Sequence, residues 1–281
     1  MALNTKEVIE LTRGRLNPSR MFLDKWQMYL ALTHDAIQGL RIPYTLLMNQ
    51  CTATRLEGQS AWYIKPVDTW GGHQIARCEQ SGEHSWTLLH QTGRTLYYRR
   101  TQALLDHLHM LYHPLTTIVQ QAAPIVTWQG RPFDIRVLCQ RQSDAWLIAG
   151  TLARVAQTDS IVSNIGTGRG EVHETREILR EIYPKTVKRR RVQNKLNQVS
   201  LKICHVLDTY ASFDEVGIDY GLGAEGQLWL FEVNTNDRLG GPSHQLFAQL
   251  PDKTVYEQIE ARAAESRRQW LSTLLSDLFF T

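Results

Sequence analysis

The chain has 281 residues, 42% of them hydrophobic, which is enough for one large domain or two smaller lobes with genuine cores. Lys plus Arg (31) against Asp plus Glu (28) leave a formal charge of +3, too small an excess to make nucleic acid or an anionic membrane the main partner. Cys51, Cys78, Cys139 and Cys204 are widely separated and form no CxxC pair, so neither a zinc knuckle nor a disulfide framework is indicated and the four read as reduced thiols. Met1 to Arg20 is polar throughout, without the apolar core of a signal peptide, and no window approaches a membrane-spanning run, so a cytoplasmic protein is expected.

From Asp24 to Gly39 the apolar residues Trp26, Met28, Leu30, Leu32 and Ile37 fall in a helical pattern that Gly39 ends. A strand is expected to start at Ile42 to Thr45, and Ala61 to Pro66 reads as a second that Pro66 stops, which places Lys65 at a strand end. Past Gly71 and Gly72, Gln74 to Cys78 and Ser85 to His90 form a candidate hairpin turning at Ser81, Gly82 and Glu83, and a helix follows from Thr101 to Tyr112.

From Thr116 the character turns to β, with strands expected over Thr117 to Gln120, Phe133 to Gln140 and Ala145 to Val155. This change suggests two lobes, residues 1–115 and 116–281. Leu196, Val199, Ile203, Val206, Leu207 and Tyr210 lie at helical spacing. Beyond them Val216 to Tyr220 and Gln227 to Asn234 flank a glycine-rich connection suited to an antiparallel hairpin, and a last helix runs from about Val255 towards Leu278.

That hairpin carries the most informative polar residues. Glu232 and Asn234, two apart on a strand, face the same way, Val233 points to the opposite layer, and Asp219 comes alongside from the partner strand. Three oxygen ligands of this kind suit magnesium completed by nucleotide phosphates. The alternative is that Asp219 is a turn residue at a strand end and Glu232 faces solvent. Further charged or polar residues sit inside or beside apolar strands: Lys65, Asp134, Arg136, Arg154 and Asn164. Such residues rarely occupy these contexts without partners. Asp134 and Arg136 share a face by the period of two, so the acid can aim the arginine at a phosphate or carboxylate, or the two can form a simple salt bridge.

In this order, the segments at Asp24-Lys25-Trp26, Ile42-Pro43-Tyr44-Thr45, Ile64-Lys65-Pro66, Phe133-Asp134-Ile135-Arg136-Val137 and Phe231-Glu232-Val233-Asn234-Thr235 resemble ATP-grasp enzymes, and within them the YheC/YheD endospore-coat-associated proteins. The resemblance spans most of the chain and implies an α/β (α+β) ATP-grasp fold, two lobes gripping ATP between antiparallel sheets. It implies Lys65 on the nucleotide phosphates and Gln120 and Gln121 at the adenine hinge. It also implies Asp219, Glu232 and Asn234 on Mg2+, with Arg136, Arg154 and Asn164 around the γ-phosphate and acyl group. The implied reaction is ATP-dependent ligation of a carboxylate substrate to an amine acceptor, an amino acid or peptide, through an acyl phosphate. A phosphotransferase or a non-catalytic spore-coat scaffold on the same fold are the alternatives.

The sequence departs from the family twice. Where a loop rich in glycine and serine usually closes over phosphates, residues 67–74 keep only Gly71 and Gly72 and include Trp70 and Gln74. The residues ahead of Asp24 are too few for the additional N-terminal domain common in the family, so part of the usual acceptor platform is expected to be missing from this stretch. His107, His109 and His113 read as a solvated helix face rather than a zinc site, and the basic residues between Lys185 and Arg191 as a solvated linker or helix start. The scattered tryptophans read as core residues, though Trp70 and Trp128 border the expected site.

Overall fold

Asp24 accepts a hydrogen bond from the Gln27 amide at 2.8 Å and so caps α1 (Lys25–His34), the first element of a computed structural model that describes residues 24–69, 73–158, 160–163, 170–235 and 242–279. The chain then touches two sheets in quick succession. Strand β1 (Leu40–Arg41) pairs in parallel with β12 (Leu228–Thr235), and β2 (Thr45–Leu47) pairs antiparallel with β7 (Thr117–Gln121). The single strand expected from Ile42 is therefore divided. Pro43 has no N–H for a ladder and its carbonyl accepts instead from the Thr45 hydroxyl at 2.9 Å, so residues 42–44 cross between the sheets.

The first sheet has the order β2-β7-β3-β4-β5-β6, with β3 (Ala61–Pro66), β4 (Ala76–Gln80), β5 (Trp86–His90) and β6 (Thr95–Tyr98), antiparallel throughout. Strand β6, absent from the sequence expectation, returns through a turn in which Gly93 takes a φ of 85°. Two helices, α2 (Ala53–Glu57) and α3 (Thr101–Tyr112), cover one face, where Leu56, Leu104, Leu105 and Leu108 pack on Trp62, Ile64, Cys78, Trp86 and Val119. The opposite face carries Tyr63, Lys65 and Gln120. Strand β7, expected to open the second lobe, lies between β2 and β3 of this first sheet. Chain order alone does not say which edge a strand joins.

The second sheet runs β1-β12-β11-β8-β9-β10, with β8 (Phe133–Gln142), β9 (Ala145–Val155), β10 (Glu171–Glu174) and β11 (Glu215–Leu222). Strand β10 and helix α4 (Thr175–Ile182) are additions to the sequence reading. The long helix α5 (Thr186–Asp208) lays Leu196, Val199, Ile203 and Leu207 on Phe133, Ile135, Val137, Ile218 and Tyr220, joined by Met28 and Leu32 of α1. Each such fully buried side chain stabilises the fold by roughly 1.5–3 kcal/mol.

The alternation of β8 and β11 then sends Asp134, Arg136, Gly217 and Asp219 to the other face. The far end of that face is closed by α6 (Pro242–Phe247) and α7 (Thr254–Phe279) through Phe247, Leu250 and Ile259. Gly150 lies beneath them, where a Cβ would come within 2.7 Å of the Phe247 ring. Among the described residues no helix is long and apolar enough to cross a membrane.

Candidate active site

Three neighbouring strands set the charged residues in register. Arg136 on β8 stands opposite Asp219 on β11, and Asp134 on β8 stands opposite Arg154 on β9. Residues directly opposed across strands have Cβ atoms about 4.5–5.5 Å apart, whereas residues two apart on one strand are separated by about 6.6 Å. The cross-strand pairs win. Arg136 donates through Nη2 to Asp219 Oδ2 at 2.9 Å and through Nε to Oδ1. Arg154 Nη2 lies 2.7 Å from Asp134 Oδ2 and 2.8 Å from Asp219 Oδ2, and its Nε donates to Asp134 as well. The Ser163 hydroxyl donates to Asp134 Oδ1. The Asp134 and Arg136 pairing expected from the period of two is thus replaced by two cross-strand pairs, Arg136 with Asp219 and Arg154 with Asp134, which Arg154 links by also reaching Asp219. Gly217 makes room for the Arg136 head, since a Cβ there would sit 3.1 Å from Nη1.

All four charged side chains are buried. Burial pushes the Asp219 carboxyl up, but the Arg136 and Arg154 guanidiniums outweigh it and hold it below the usual carboxylate range. Asp134 goes the other way: burial raises it, the Asp219 charge adds to that, and Arg154 with Ser163 offset only part. Arg154 stays firmly protonated, because the two carboxylates overcome its burial.

The β11/β12 pair brings the remaining oxygen donors alongside. Asp219 is opposite Glu232, Gly217 is opposite Asn234, and Asn234 Nδ2 donates to Asp219 Oδ2 at 3.4 Å. The register slips between Asp219 and Tyr220, which leaves Phe231 as an extra residue on β12. This bulge matters for the site. Leu228 and Leu230 face the core below it and Val233 faces the core above it, so the alternation changes phase and Glu232 is spared the apolar layer. Two carboxylates and an amide on adjacent strands make a donor set that fits a hard divalent cation.

Lys65 and Lys25 approach from the other side. Lys65 Nζ donates to Gln120 Oε1 at 2.7 Å, and Gln120 in turn donates to Thr45 Oγ1 at 3.2 Å. Burial lowers the Lys65 ammonium to about 8, the nearby Lys25 charge adds to that, and Glu232 and Asp219 oppose it. Lys65 therefore lies within electrostatic reach of the opposite sheet. Gln121 is turned away, donating to Gln59 Oε1 at 2.7 Å. Lys25 Nζ is 3.4 Å from Glu232 Oε1. Sequence reasoning assigned no role to Lys25 or Ser163. The position of Lys25 behind a capping Asp24 marks a helix start but not its reach to Glu232, and nothing marks Ser163.

The structure thus gathers Lys65, Gln120, Asp134, Arg136, Arg154, Asp219, Glu232 and Asn234 between the sheets. Gly71, Gly72 and Asn164, with Trp70, lie outside the described residues. His109 and His113 are exposed and the His107 ring lies 5.6 Å from Tyr98. The basic segment forms the start of α5, where Lys188 pairs with Glu225 at 3.0 Å and Arg189 caps the Tyr183 carbonyl at 3.1 Å. Trp128 donates to Glu181 at 2.7 Å.

Two antiparallel-rich sheets that face each other across such a polar seam define the class: this is an ATP-grasp fold. Within that class the chain belongs to the YheC/D-like ATP-grasp family, whose model matches residues 15–265. It is 24% identical over 230 residues to the endospore coat-associated protein YheD of Bacillus subtilis (strain 168), an alignment covering 77% of this chain and 49% of YheD. The chain therefore spans about half the length of that curated relative. Among solved structures, D-cycloserine synthetase DcsG matches with a TM-score of 0.50 at 13% identity over 86% of this chain and 70% of DcsG. The D-alanine-D-alanine ligase from Coxiella burnetii gives a TM-score of 0.47 at 12% identity over 90% of this chain and 61% of the ligase.

Proposed function

We propose that the chain is an ATP-dependent carboxylate-amine ligase that works with magnesium through an acyl-phosphate intermediate. The observation that carries this reading is the charge layout between the sheets. Lys25, Lys65, Arg136 and Arg154 stand against Asp134, Asp219 and Glu232, an excess of one positive charge among these described side chains. That sign draws in a polyphosphate, and the donor set of Asp219, Glu232 and Asn234 draws in its cation. Lys65 serves the phosphates as a point charge, and Gln120 fixes its head. Gln120 is assigned to the adenine side, where Gln121 can offer only its backbone because its side chain is held by Gln59, and Gly71 and Gly72 are assigned to the phosphates from the sequence alone.

In the reaction, a carboxylate oxygen of the acid attacks the γ-phosphorus and ADP leaves. The amine then attacks the acyl carbon, loses a proton and expels phosphate, leaving an amide. Both steps build charge on oxygen, and oriented cationic donors stabilise it. Arg136 is the residue assigned to that charge, with Arg154, which shares Asp219 with it, in support; Asn164 is assigned to the same task from the sequence alone. Asp134 holds Arg154 and so aims the arginines indirectly. Magnesium, held by Asp219, Glu232 and Asn234, would neutralise the β- and γ-phosphate oxygens. No side-chain nucleophile is required.

A screen of amino acids and peptides for acceptor-dependent ADP release, with mass spectrometry of the products, tests the reading. An amide product supports it, and a stable phosphorylated product without an amide selects a phosphotransferase. A second reading, a coat-type scaffold that keeps the fold, draws on the name of the Bacillus subtilis relative and on Trp70 in the phosphate loop. Absence of ATP binding under every acceptor condition selects that one.

A further inference from the structure

Lys25 is the first residue of α1, and its surroundings give it a task. Helix α1 packs through Met28 and Leu32 into the core beneath the second sheet. Yet the Lys25 amide donates to the Val67 carbonyl at 3.1 Å, just past the end of β3 in the first sheet. Its ammonium donates to the Thr69 carbonyl and lies 3.4 Å from Glu232 Oε1. A lysine gives up considerable rotamer freedom to be held like this, and its side chain is only 14% exposed. It also stands near Lys65, whose like charge opposes it. The attraction that offsets both costs comes from Glu232 and a backbone oxygen.

The two cation-binding carboxylates are held very differently. Asp219 is gripped by the fork of Arg136 and by Nη2 of Arg154, both buried. Glu232, whose side chain is 26% exposed, pairs among the described residues with Lys25 through one longer contact. Glu232 is the carboxylate that can change partners. A lysine ammonium and a divalent cation cannot both neutralise it fully, since each withdraws charge from the same two oxygens.

We propose that Lys25 is a positioning residue, the resident counter-ion of Glu232. It keeps that carboxylate turned into the site while no cation is bound, and the arriving cation must displace it. The inference rests on reading Glu232 as a cation ligand. Competition has a sign that a structural role lacks: removing the lysine charge strengthens cation binding rather than weakening it.

The test titrates Mn2+, without nucleotide, into the full chain and follows the paramagnetic resonance signal of the free ion. Wild type is compared with Lys25→Met, Lys25→Gln, Lys25→Arg and Glu232→Gln, each checked for fold by circular dichroism. Lys25→Met and Lys25→Gln are expected to bind Mn2+ roughly twofold to fivefold tighter, the scale of a partly exposed ion pair. Lys25→Arg, which keeps the charge, is expected to behave as wild type, and Glu232→Gln to bind more weakly. If Glu232→Gln weakens binding while both neutral Lys25 variants bind as wild type or more weakly, the counter-ion role is overturned and Glu232 remains a ligand. If Glu232→Gln binds as wild type, or no form takes up Mn2+, the ligand reading fails and the counter-ion role falls with it.

Discussion

Arg136 and Asp219 face each other across β8 and β11, with Nη2 2.9 Å from Oδ2 and both side chains buried. A bidentate arginine on a buried carboxylate is fixed in direction as well as charge, which suits a group that must meet charge only as it develops. Arg136→Lys keeps the charge and loses the fork. It is expected to leave ATP affinity near normal and to lower turnover about 100-fold or more, the scale of one lost oriented donor. Calorimetry on ATP and steady-state ADP release separate the two quantities, and a variant as fast as wild type would remove Arg136 from the mechanism.

Much of this arrangement was legible in the sequence, and what was not has physical reasons. The apolar stripe of α5 follows from periodicity, because its one buried face leaves its period in the residues, and the hairpin of β11 and β12 follows from the glycine-rich connection between its two strands. The partner of Arg136 did not follow, since periodicity says which residues share a face but not which strand lies alongside. Asp134 was nearer in sequence, and Asp219, 83 residues away, is nearer in space. The bulge at Phe231 was hidden: the core-facing residues change from even positions, Leu228 and Leu230, to an odd one, Val233, but Trp229 and Phe231 are apolar too and mask the change of phase in the sequence. The reach of Lys25 to Glu232 left no trace, because a first-turn lysine looks the same whether it meets solvent or another lobe.

Lys65 leads to a pH dependence. Burial holds its ammonium at about 8, below the roughly 10.4 of an exposed lysine. The penalty for the buried charge is fully present below pH 8. Between the folded and unfolded values the unfolded chain binds more protons, so this contribution to stability improves as pH rises. Nucleotide binding runs the opposite way, since a neutral amine gives a phosphate no counter-charge. ATP affinity of wild type is expected to fall as pH rises through 8, and Lys65→Met to bind weakly with a flatter profile. Equal slopes in both proteins would place the titrating group elsewhere.

His244 offers a test of how α6 is fastened. Its imidazole contacts Glu215 of β11 through Nε2 and lies 3.2 Å from Glu260 of α7 through Nδ1. Gln140 of β8 donates to Glu215 at 3.1 Å, and Arg267 of α7 adds an opposing positive charge. Burial lowers the His244 value, but the hydrogen bond and charge of Glu215, with Glu260, raise it overall. A raised value means that the stabilisation is fully present below the unfolded value near 6.5 and is lost as pH rises through the higher folded value. Urea unfolding at pH 6 and pH 8 should therefore show wild type losing more stability with rising pH than His244→Gln. A variant with the same pH dependence as wild type would show that the cluster does not couple to folding.

Glu232 and Asn234 lie on one stretch of β12, opposite Asp219 and Gly217, at the rim of the buried arginine and aspartate network rather than within it. Both are partly exposed, and Lys25, which loses its counter-charge in Glu232→Ala, keeps the Thr69 carbonyl as an acceptor, so the fold is expected to survive either truncation. If they hold magnesium, each removal takes one oxygen from a cation that keeps strict geometry around few protein ligands. Glu232→Ala and Asn234→Ala should then abolish turnover while unfolding temperatures stay within a few degrees of wild type. The decisive comparison does not depend on turnover: calorimetry of ADP with and without magnesium. Wild type is expected to bind ADP more tightly with magnesium, and the two variants to lose that gain while keeping the affinity measured without it. A full magnesium gain in both variants would take the cation away from β12, whatever happened to the rate.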